Sequence, residues 1–507
     1  MKKYLILILA LWLMFLPQSW ASQDDEMITI DANATTTLFP HFWEQMFGSG
    51  RAVLSLRQAY GNDLTLLKSI TDCQYIRFHG IFNDEIGVYD TDSHHNDCLN
   101  FTYVDQIYDG LLAKGVKPFV ELSFMPSKLA SANTIHPFWY HPNVSPPKDY
   151  VQWSKFIYDF TQHLVKRYGI KEVATWYFEV WNEPNLDFWQ PDSGDHKKTY
   201  FHLYEATANA IKRVDAKLKV GGPATAQAAW INDFIDFCVT NKIKVDFLST
   251  HVYANDSNLN VFGKGSTPIS RADFVGKAVK KVYDEVKSSK MPDLSIIWSE
   301  YNASYLNEVE VTDSSFMGPW LANTIKQCNG LVTQMSLWTF SDVFEEQGIP
   351  KLPFYGGYGL IANYNIPKAS FNALALLHKL GEYYIPIASP MALATKRKDN
   401  GLVVAVWNYV DPHELGTPKT VTVKFSNLNN LSKAKVYVLD DEHGCALTIW
   451  KKMGKPQFPT QGELAKLKSA SLNFDIQEFK LNKSQSLKLQ LQPRALALIE
   501  VLPKTAD

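Results

Sequence analysis

Two glutamates stand at the ends of apolar runs of the same design. Trp176-Tyr177-Phe178-Glu179-Val180-Trp181-Asn182-Glu183-Pro184-Asn185 is largely apolar until an Asn-Glu-Pro stop. Leu294-Ser295-Ile296-Ile297-Trp298-Ser299-Glu300-Tyr301-Asn302 repeats it, a short apolar run closed by a Glu. Runs that apolar fit central strands covered on both faces. Pro184 cannot donate to a ladder and is expected to hold Glu183 extended. Carboxyl groups at the carboxyl ends of buried parallel strands sit where barrel enzymes build their active sites. Glycoside hydrolysis needs such a pair, one carboxyl protonated to assist the leaving oxygen and one ionised to attack the anomeric carbon or activate water. Taken singly, each Glu also reads as a loop residue at a strand end. Together, among aromatic rings, they point to sugar chemistry.

The elements that must position this pair follow from the pattern. Strand-like segments at 43–48, 73–78, 117–124, 175–181, 218–220, 245–253, 295–299 and 334–340 alternate with amphipathic stretches. Residues 150–168 carry apolar positions at helical spacing, with Asp149 as a cap, and 196–214 and 270–288 read likewise. Eight strands with intervening helices predict a (β/α)8 TIM barrel. After about residue 385 the texture changes to short strands at 401–407, 421–425, 435–439, 487–491 and 496–501, separated by turn residues, with a short helix at 463–469. That predicts an appended C-terminal β-sandwich. The expected division is a signal peptide at 1–22, the catalytic barrel at 23–375 and the sandwich at 376–507, with the early strand at 27–35 joining the sandwich.

Length and composition agree with two units. The chain has 507 residues, 46% of them hydrophobic and 13% aromatic, enough for a large core. A net charge of −2 gives no reason to expect nucleic acid or an anionic membrane surface as partner. Lys2-Lys3, the apolar run 4–16 and Ser19-Trp20-Ala21 have the form of a cleaved signal peptide, which predicts a secreted or periplasmic protein. No later stretch is long and apolar enough to span a membrane. The five cysteines are widely spaced, without a Cys-x-x-Cys pair, and no His-Glu-x-x-His occurs. Neither a metal nor a cofactor is expected. Cys73 and Cys98 are a candidate disulfide, and free buried thiols the alternative for most of the five.

Ordered motifs then carry a resemblance. They are His41-Phe42-Trp43-Glu44 with Gly48-Ser49-Gly50, Arg77-Phe78-His79-Gly80, and Pro118-Phe119-Val120-Glu121-Leu122-Ser123-Phe124-Met125-Pro126. Trp181-Asn182-Glu183-Pro184-Asn185, Asp246-Phe247-Leu248-Ser249-Thr250-His251-Val252-Tyr253, Ser299-Glu300-Tyr301-Asn302 and Trp338-Thr339-Phe340-Ser341-Asp342-Val343-Phe344-Glu345-Glu346 follow. In this set the chain resembles glycoside hydrolase family 39, the β-xylosidase and α-L-iduronidase family. The resemblance implies a barrel with a β-sandwich and a retaining mechanism, with Glu183 as acid/base and Glu300 as nucleophile. Apolar Trp181 and Phe178 and the charge of Glu300 are expected to raise the Glu183 pKa.

Around that pair, Asn182 is expected to bond the sugar 2-hydroxyl and Tyr253 to donate to Glu300. His79 and His251 read as hydroxyl ligands or as structural histidines. Of Glu345 and Glu346, Glu346 is the expected sugar ligand. Trp338 and Phe124 read as stacking surfaces or as core, and Glu121 as a support behind the site. Arg51 departs from the smaller residue expected after Gly48-Ser49-Gly50, and Tyr301 stands where some relatives carry Trp. The leading expectation is an exo-acting β-xylosidase that removes xylose from the non-reducing ends of xylo-oligosaccharides. An iduronidase-like enzyme, with Arg51 or Lys351 meeting a uronide carboxylate, and a non-catalytic carbohydrate-binding protein are the alternatives. The oligomeric state stays open.

Overall fold

Eight parallel strands close into a barrel in chain order. They are β1 (Met46–Gly48), β2 (Tyr75–Arg77), β3 (Lys117–Leu122), β4 (Tyr177–Val180), β5 (Lys219–Thr225), β6 (Phe247–Tyr253), β7 (Ser295–Asn302) and β8 (Gln334–Leu337). Closure comes from β8 pairing with β1, Ser336 opposite Met46 and Leu337 opposite Phe47. The computed structural model describes residues 26–503 apart from 95, 429–430 and 482–484, and the expected signal peptide at 1–22 lies outside the described residues.

Side chains two apart along a strand share a face, so the barrel interior is built in layers. Met46, Tyr75, Phe119, Phe247 and Ile297, with Tyr177 against them, form an apolar plug of their own. Two residues further along come Arg77, Glu121, Glu179, Ser249 and Ser299, all fully or almost fully buried. The apolar layer therefore floors the barrel, and the polar layer faces the carboxyl end, where the cavity opens.

Two strands run past their expected carboxyl ends. β5 runs to Thr225, well past 220, because Gly221-Gly222-Pro223 lies within the strand instead of ending it. A Cβ on Gly221 would lie 2.3 Å from the Phe247 carbonyl oxygen, so glycine here permits close strand approach. β7 continues to Asn302 and carries an irregularity: Thr250 pairs with Trp298, but His251 pairs with Glu300. Ser299 is the extra residue of this bulge. The bulge turns both Ser299 and Glu300 towards the site.

The outer helices follow the sequence closely. Tyr150–Tyr168 is capped by Asp149, whose carboxylate accepts from the Val151 and Gln152 amides. His196–Val214 and Arg271–Ser288 occupy the other two expected stretches. Among the described residues, no helix is long and apolar enough to cross a membrane.

The β-sandwich consists of a seven-stranded and a three-stranded sheet. The larger runs in the order Thr37–Leu38, Tyr383–Ile385, Ala392–Lys396, Leu402–Trp407, Leu496–Pro503, Leu431–Leu439, Asp475–Lys480. In the smaller, Glu26–Asp31 lies parallel to Lys419–Ser426, which pairs with Ser486–Leu491. Ile28 and Ile30 alternate inward and are buried, which fixes the register of that early strand. The helix expected at 463–469 is longer, Gln461–Ser471, started by a Thr460/Glu463 capping box. A second helix, Ala446–Lys452, is too short to leave a periodic signal. All five cysteines are free, with Cys73 buried and Cys98 exposed.

β1 ends at Gly48, directly beneath the ring of Trp338; a Cβ built there would meet that ring at 2.2 Å. Gly48→Ala is expected to displace Trp338 at a cost of about 1–3 kcal/mol, seen as a lower unfolding midpoint, together with reduced turnover.

Candidate active site

Arg77, at the end of β2, organises the interior. Its guanidinium is fully buried. Nε donates to Glu179 at 2.6 Å and one NH2 group to Glu300 at 2.7 Å. The other NH2 group donates to Asn182 Oδ1 at 2.9 Å and pairs with Glu121 at 2.8 Å. One planar cation thus spans β2, β3, β4 and β7. Burial opposes its charge, but the Glu121, Glu179 and Glu300 carboxylates outweigh that and hold its pKa above the usual arginine value. Burial likewise opposes ionisation of Glu121, yet Arg77 and His79 keep its pKa below the ordinary range.

Glu183 and Glu300 meet above this layer. One oxygen of each and one ring nitrogen of His251 lie within 4.8 Å of one another. That is close to the roughly 5–5.5 Å carboxyl separation of retaining enzymes and well short of the roughly 6.5–9.5 Å that inverting enzymes need for a water. Glu300 accepts from Arg77 at one oxygen and from the Tyr253 hydroxyl, at 2.6 Å, at the other, so its orientation is fixed twice. Glu183 is pushed well above the ordinary carboxylate range, first by burial, then by Glu300 and Asp256. The expected cause is thus present, although burial by the whole pocket outranks any one ring.

Glu183 is not extended. Its φ is +43°, and Trp181 has φ +71°. The preference of a residue before proline is overridden, because the Glu183 amide donates to the Ala224 carbonyl at 2.8 Å and the Trp181 indole to the Phe188 carbonyl at 2.7 Å. Left-handed backbone at Trp181 and Glu183 holds the turn that aims the Glu183 carboxyl.

His251 is fully buried and takes no part in lining the cavity. Nδ1 lies 3.0 Å from Glu183 and Nε2 3.1 Å from the Ser299 hydroxyl. Burial, then Arg77 and His79, push its pKa well down, so the ring is neutral. A neutral imidazole has one donor and one acceptor nitrogen. It can therefore partner Glu183 protonated or ionised, depending on the tautomer. It orients Glu183 and is not placed to read a sugar hydroxyl.

The cavity above the pair measures about 390 Å³. Its lining includes His79, Asn182, Glu183, Tyr253, Glu300, Trp338 and Glu346. His79 Nδ1 is 2.7 Å from Glu121, which leaves Nε2 facing Glu346 at 3.6 Å. Burial raises the Glu346 pKa to about 8, partly opposed by His79. Its neighbour Glu345 points away and is held by Arg51 and Arg57 at 2.9 and 2.5 Å. Phe124 is fully buried behind the wall, packed on Trp181, Phe188 and His79, and does not line the cavity. Trp338 does face the cavity, tilted against His79 with centroids 4.6 Å apart and 5.6 Å from the Arg77 guanidinium.

Sequence reasoning passed over several groups. Arg77 stood in a quoted motif without a role, and Glu179 lay unremarked inside an apolar strand. A charge in such a run has to be paired once buried, which was the available signal. Asp256 lines the cavity, accepts from the Tyr253 amide, and is raised to about 7 by burial. Lys368 left no such signal. Its fully buried ammonium contacts Asp313 and Asp342, each at 2.6 Å, and those acids accept from the Gly356 and Gly359 amides. That ion cluster fixes the loop carrying Tyr358, whose ring lines the cavity.

A closed (β/α)8 barrel with two close carboxyls at the ends of β4 and β7, one held ready to donate a proton, defines a barrel glycoside hydrolase of the retaining type. The model of the glycosyl hydrolases family 39 matches residues 26–475. A beta-xylosidase of Geobacillus stearothermophilus is 36% identical over 85% of this chain and 86% of its own length. One of Caldicellulosiruptor saccharolyticus is 34% identical over 88% and 91%. The crystal structure of a monomeric beta-xylosidase from Caulobacter crescentus CB15 superposes with a TM-score of 0.85 at 31% identity, covering 95% of this chain and all of that one. The chain belongs to glycoside hydrolase family 39.

Arg77→Lys keeps the charge but loses the fork. It is expected to lower kcat/KM about 100-fold, or about 2.7 kcal/mol of transition-state stabilisation. An undiminished rate in steady-state kinetics would mean that the fork does not hold Glu300.

Proposed function

We propose that this enzyme is an exo-acting β-xylosidase that works with retention through Glu183 and Glu300. The observation that carries the reading is the pair itself, two carboxyls within 4.8 Å at the ends of β4 and β7, with Glu183 kept protonated by burial and by its partner. The sugar is proposed from the two bacterial relatives described as beta-xylosidases, at 36% and 34% identity over most of the chain. Glu300 attacks the anomeric carbon while Glu183 gives its proton to the leaving oxygen. The glycosyl-enzyme removes the Glu300 charge, so Glu183 loses one of the causes of its raised pKa and serves as base for water. Asn182, its oxygen taken by Arg77, keeps its NH2 group for the sugar 2-hydroxyl.

Exo action is supported by the tie between loops at the mouth. The Trp139 amide donates to the Glu346 carbonyl at 2.8 Å. Arg51 bridges Glu85 and Glu345 at 2.8 and 2.9 Å, with Tyr140 stacked 4.8 Å away. These contacts join the loops that follow β1, β2, β3 and β8 and wall off one end of the cleft. The iduronidase-like reading fares worse. Arg51 is committed to two acids, Lys351 is exposed elsewhere, and no Lys or Arg occurs among the lining residues to meet a uronide carboxylate. A binding-only protein has no use for a protonated Glu183 beside Glu300. Export remains a proposal from residues 1–22 alone.

The test is initial rates on a panel of 4-nitrophenyl glycosides, with product anomers followed by NMR. β-D-xyloside is expected to be preferred and β-xylose released first; an inverted first product would sink the mechanism. Glu183→Ala is expected to lose about 10²–10⁴-fold on poor leaving groups and to regain rate with azide, and Glu300→Ala to be inactive. Because the working form of the free enzyme carries the Glu183 proton and that pKa is raised, the alkaline limb of kcat/KM lies above the ordinary carboxylate range. That limb should vanish from the residual activity of Glu183→Gln. Arg51→Ala should raise KM for xylobiose about tenfold, or about 1.4 kcal/mol, with less effect on kcat.

A further inference from the structure

Away from the catalytic pair, a second cluster of metal-type donors lies at the opposite end of the barrel. His41, Glu44 and His378 each bring a ligand atom within 4.8 Å of the others. His41 and Glu44 precede β1, and His378 follows the helix Ala369–Leu377, where the chain leaves the barrel for the larger sheet. Glu44 is fully buried, and both its oxygens are engaged, one with His41 Nδ1 at 2.5 Å and one with His378 Nδ1 at 2.8 Å. The His41 ring stacks on Trp43 with centroids 4.5 Å apart, so it is held in place. Its Nε2 is buried without a hydrogen-bond partner among the described residues, so it can carry the ring proton while Nδ1 meets an ion. A cavity of about 500 Å³ runs alongside, lined by both histidines, Asp72 and Glu382, and by no Lys or Arg. That lining attracts cations and gives an entry path.

We propose that His41, Glu44 and His378 bind a divalent transition-metal ion, zinc above all, that ties the amino-terminal face of the barrel to the chain entering the sandwich. Two imidazoles and a carboxylate are a zinc donor set, with the fourth position left to water from the cavity. Ligands about 2.0–2.2 Å from one ion lie up to about 4 Å apart, so a small rotation of the partly exposed His378 ring completes the set. The ion would join residues far apart in sequence, and because it binds only the folded chain it would add to stability. This inference does not depend on the sugar proposed above.

The test uses the full chain after chelator treatment and dialysis. Calorimetric titration with Zn²⁺ and elemental analysis are expected to give one ion per chain, with a higher unfolding temperature that EDTA reverses. His378→Ala changes a partly exposed side chain outside the catalytic machinery. It should abolish both binding and the shift while xyloside turnover stays as in the parent. Glu183→Gln, which alters the donor cluster of the active site, should bind as the parent does. No zinc uptake, equal uptake by His378→Ala, or loss of uptake in Glu183→Gln would each overturn the proposal. In the first two cases Glu44 is simply a carboxylate hydrogen-bonded between two imidazoles.

Discussion

The active site depends on one buried cation. Arg77 sits above an apolar floor with three carboxylates and an amide around it. Without it, Glu121, Glu179 and Glu300 would face one another in a medium where like charges are costly. With it, four strands share a charged hub, and Glu300 is aimed by the same fork that orients Asn182. The net negative charge left over is what matters next. Glu183, itself outside the fork, is raised well above the ordinary carboxylate range, first by burial and then by the charge of Glu300. A hub that places one carboxylate and leaves its neighbour protonated produces the division of labour that glycoside cleavage requires.

Regular barrel geometry alone does not produce this arrangement. Strand alternation brings Ser299 inward, and only the bulge at Ser299 brings Glu300 inward as well. On the other side, left-handed backbone at Trp181 and Glu183 bends the end of β4 so that its carboxyl meets the β7 carboxyl. Both departures are fixed from outside, the first by the β6 register and the second by bonds to the β5 carbonyl of Ala224 and to Phe188. His251, on β6 between them, touches Glu183 and Ser299 at once and couples the two.

The loops around the mouth are held by charge in the same way. Arg51 gathers Glu85 and Glu345, and Lys368 gathers Asp313 and Asp342, each a cation joining acids from separate loops. The sandwich packs on the flank of the barrel, against the helices Met317–Cys328 and Ala369–Leu377. Its smaller sheet takes the strand Glu26–Asp31 from before the barrel, so the chain is tied to the second unit both on entering and on leaving the barrel. Glu44, bonded to His41 and His378, marks that seam at the amino-terminal face.

The amino-acid sequence by itself determined the fold class, since strand and helix periods are local. The helices at 150–168 and 196–214 and most barrel strands are legible because their apolar positions repeat within a few residues. It also singled out Glu183 and Glu300, because Asn-Glu-Pro and Ser-Glu-Tyr close apolar runs. Tertiary structure alone decided what each neighbour does. Phe124 and Trp338 are alike in sequence, but one is walled off and the other lines the cavity. His79 follows β2 and His251 lies within β6, but only His79 reaches the cavity. Arg77, Glu179 and Lys368 gain their meaning from partners on other strands and loops, and sequence spacing carries no record of those distances. The conformation of Glu183 was decided the same way: a local preference before proline yielded to hydrogen bonds made by distant backbone.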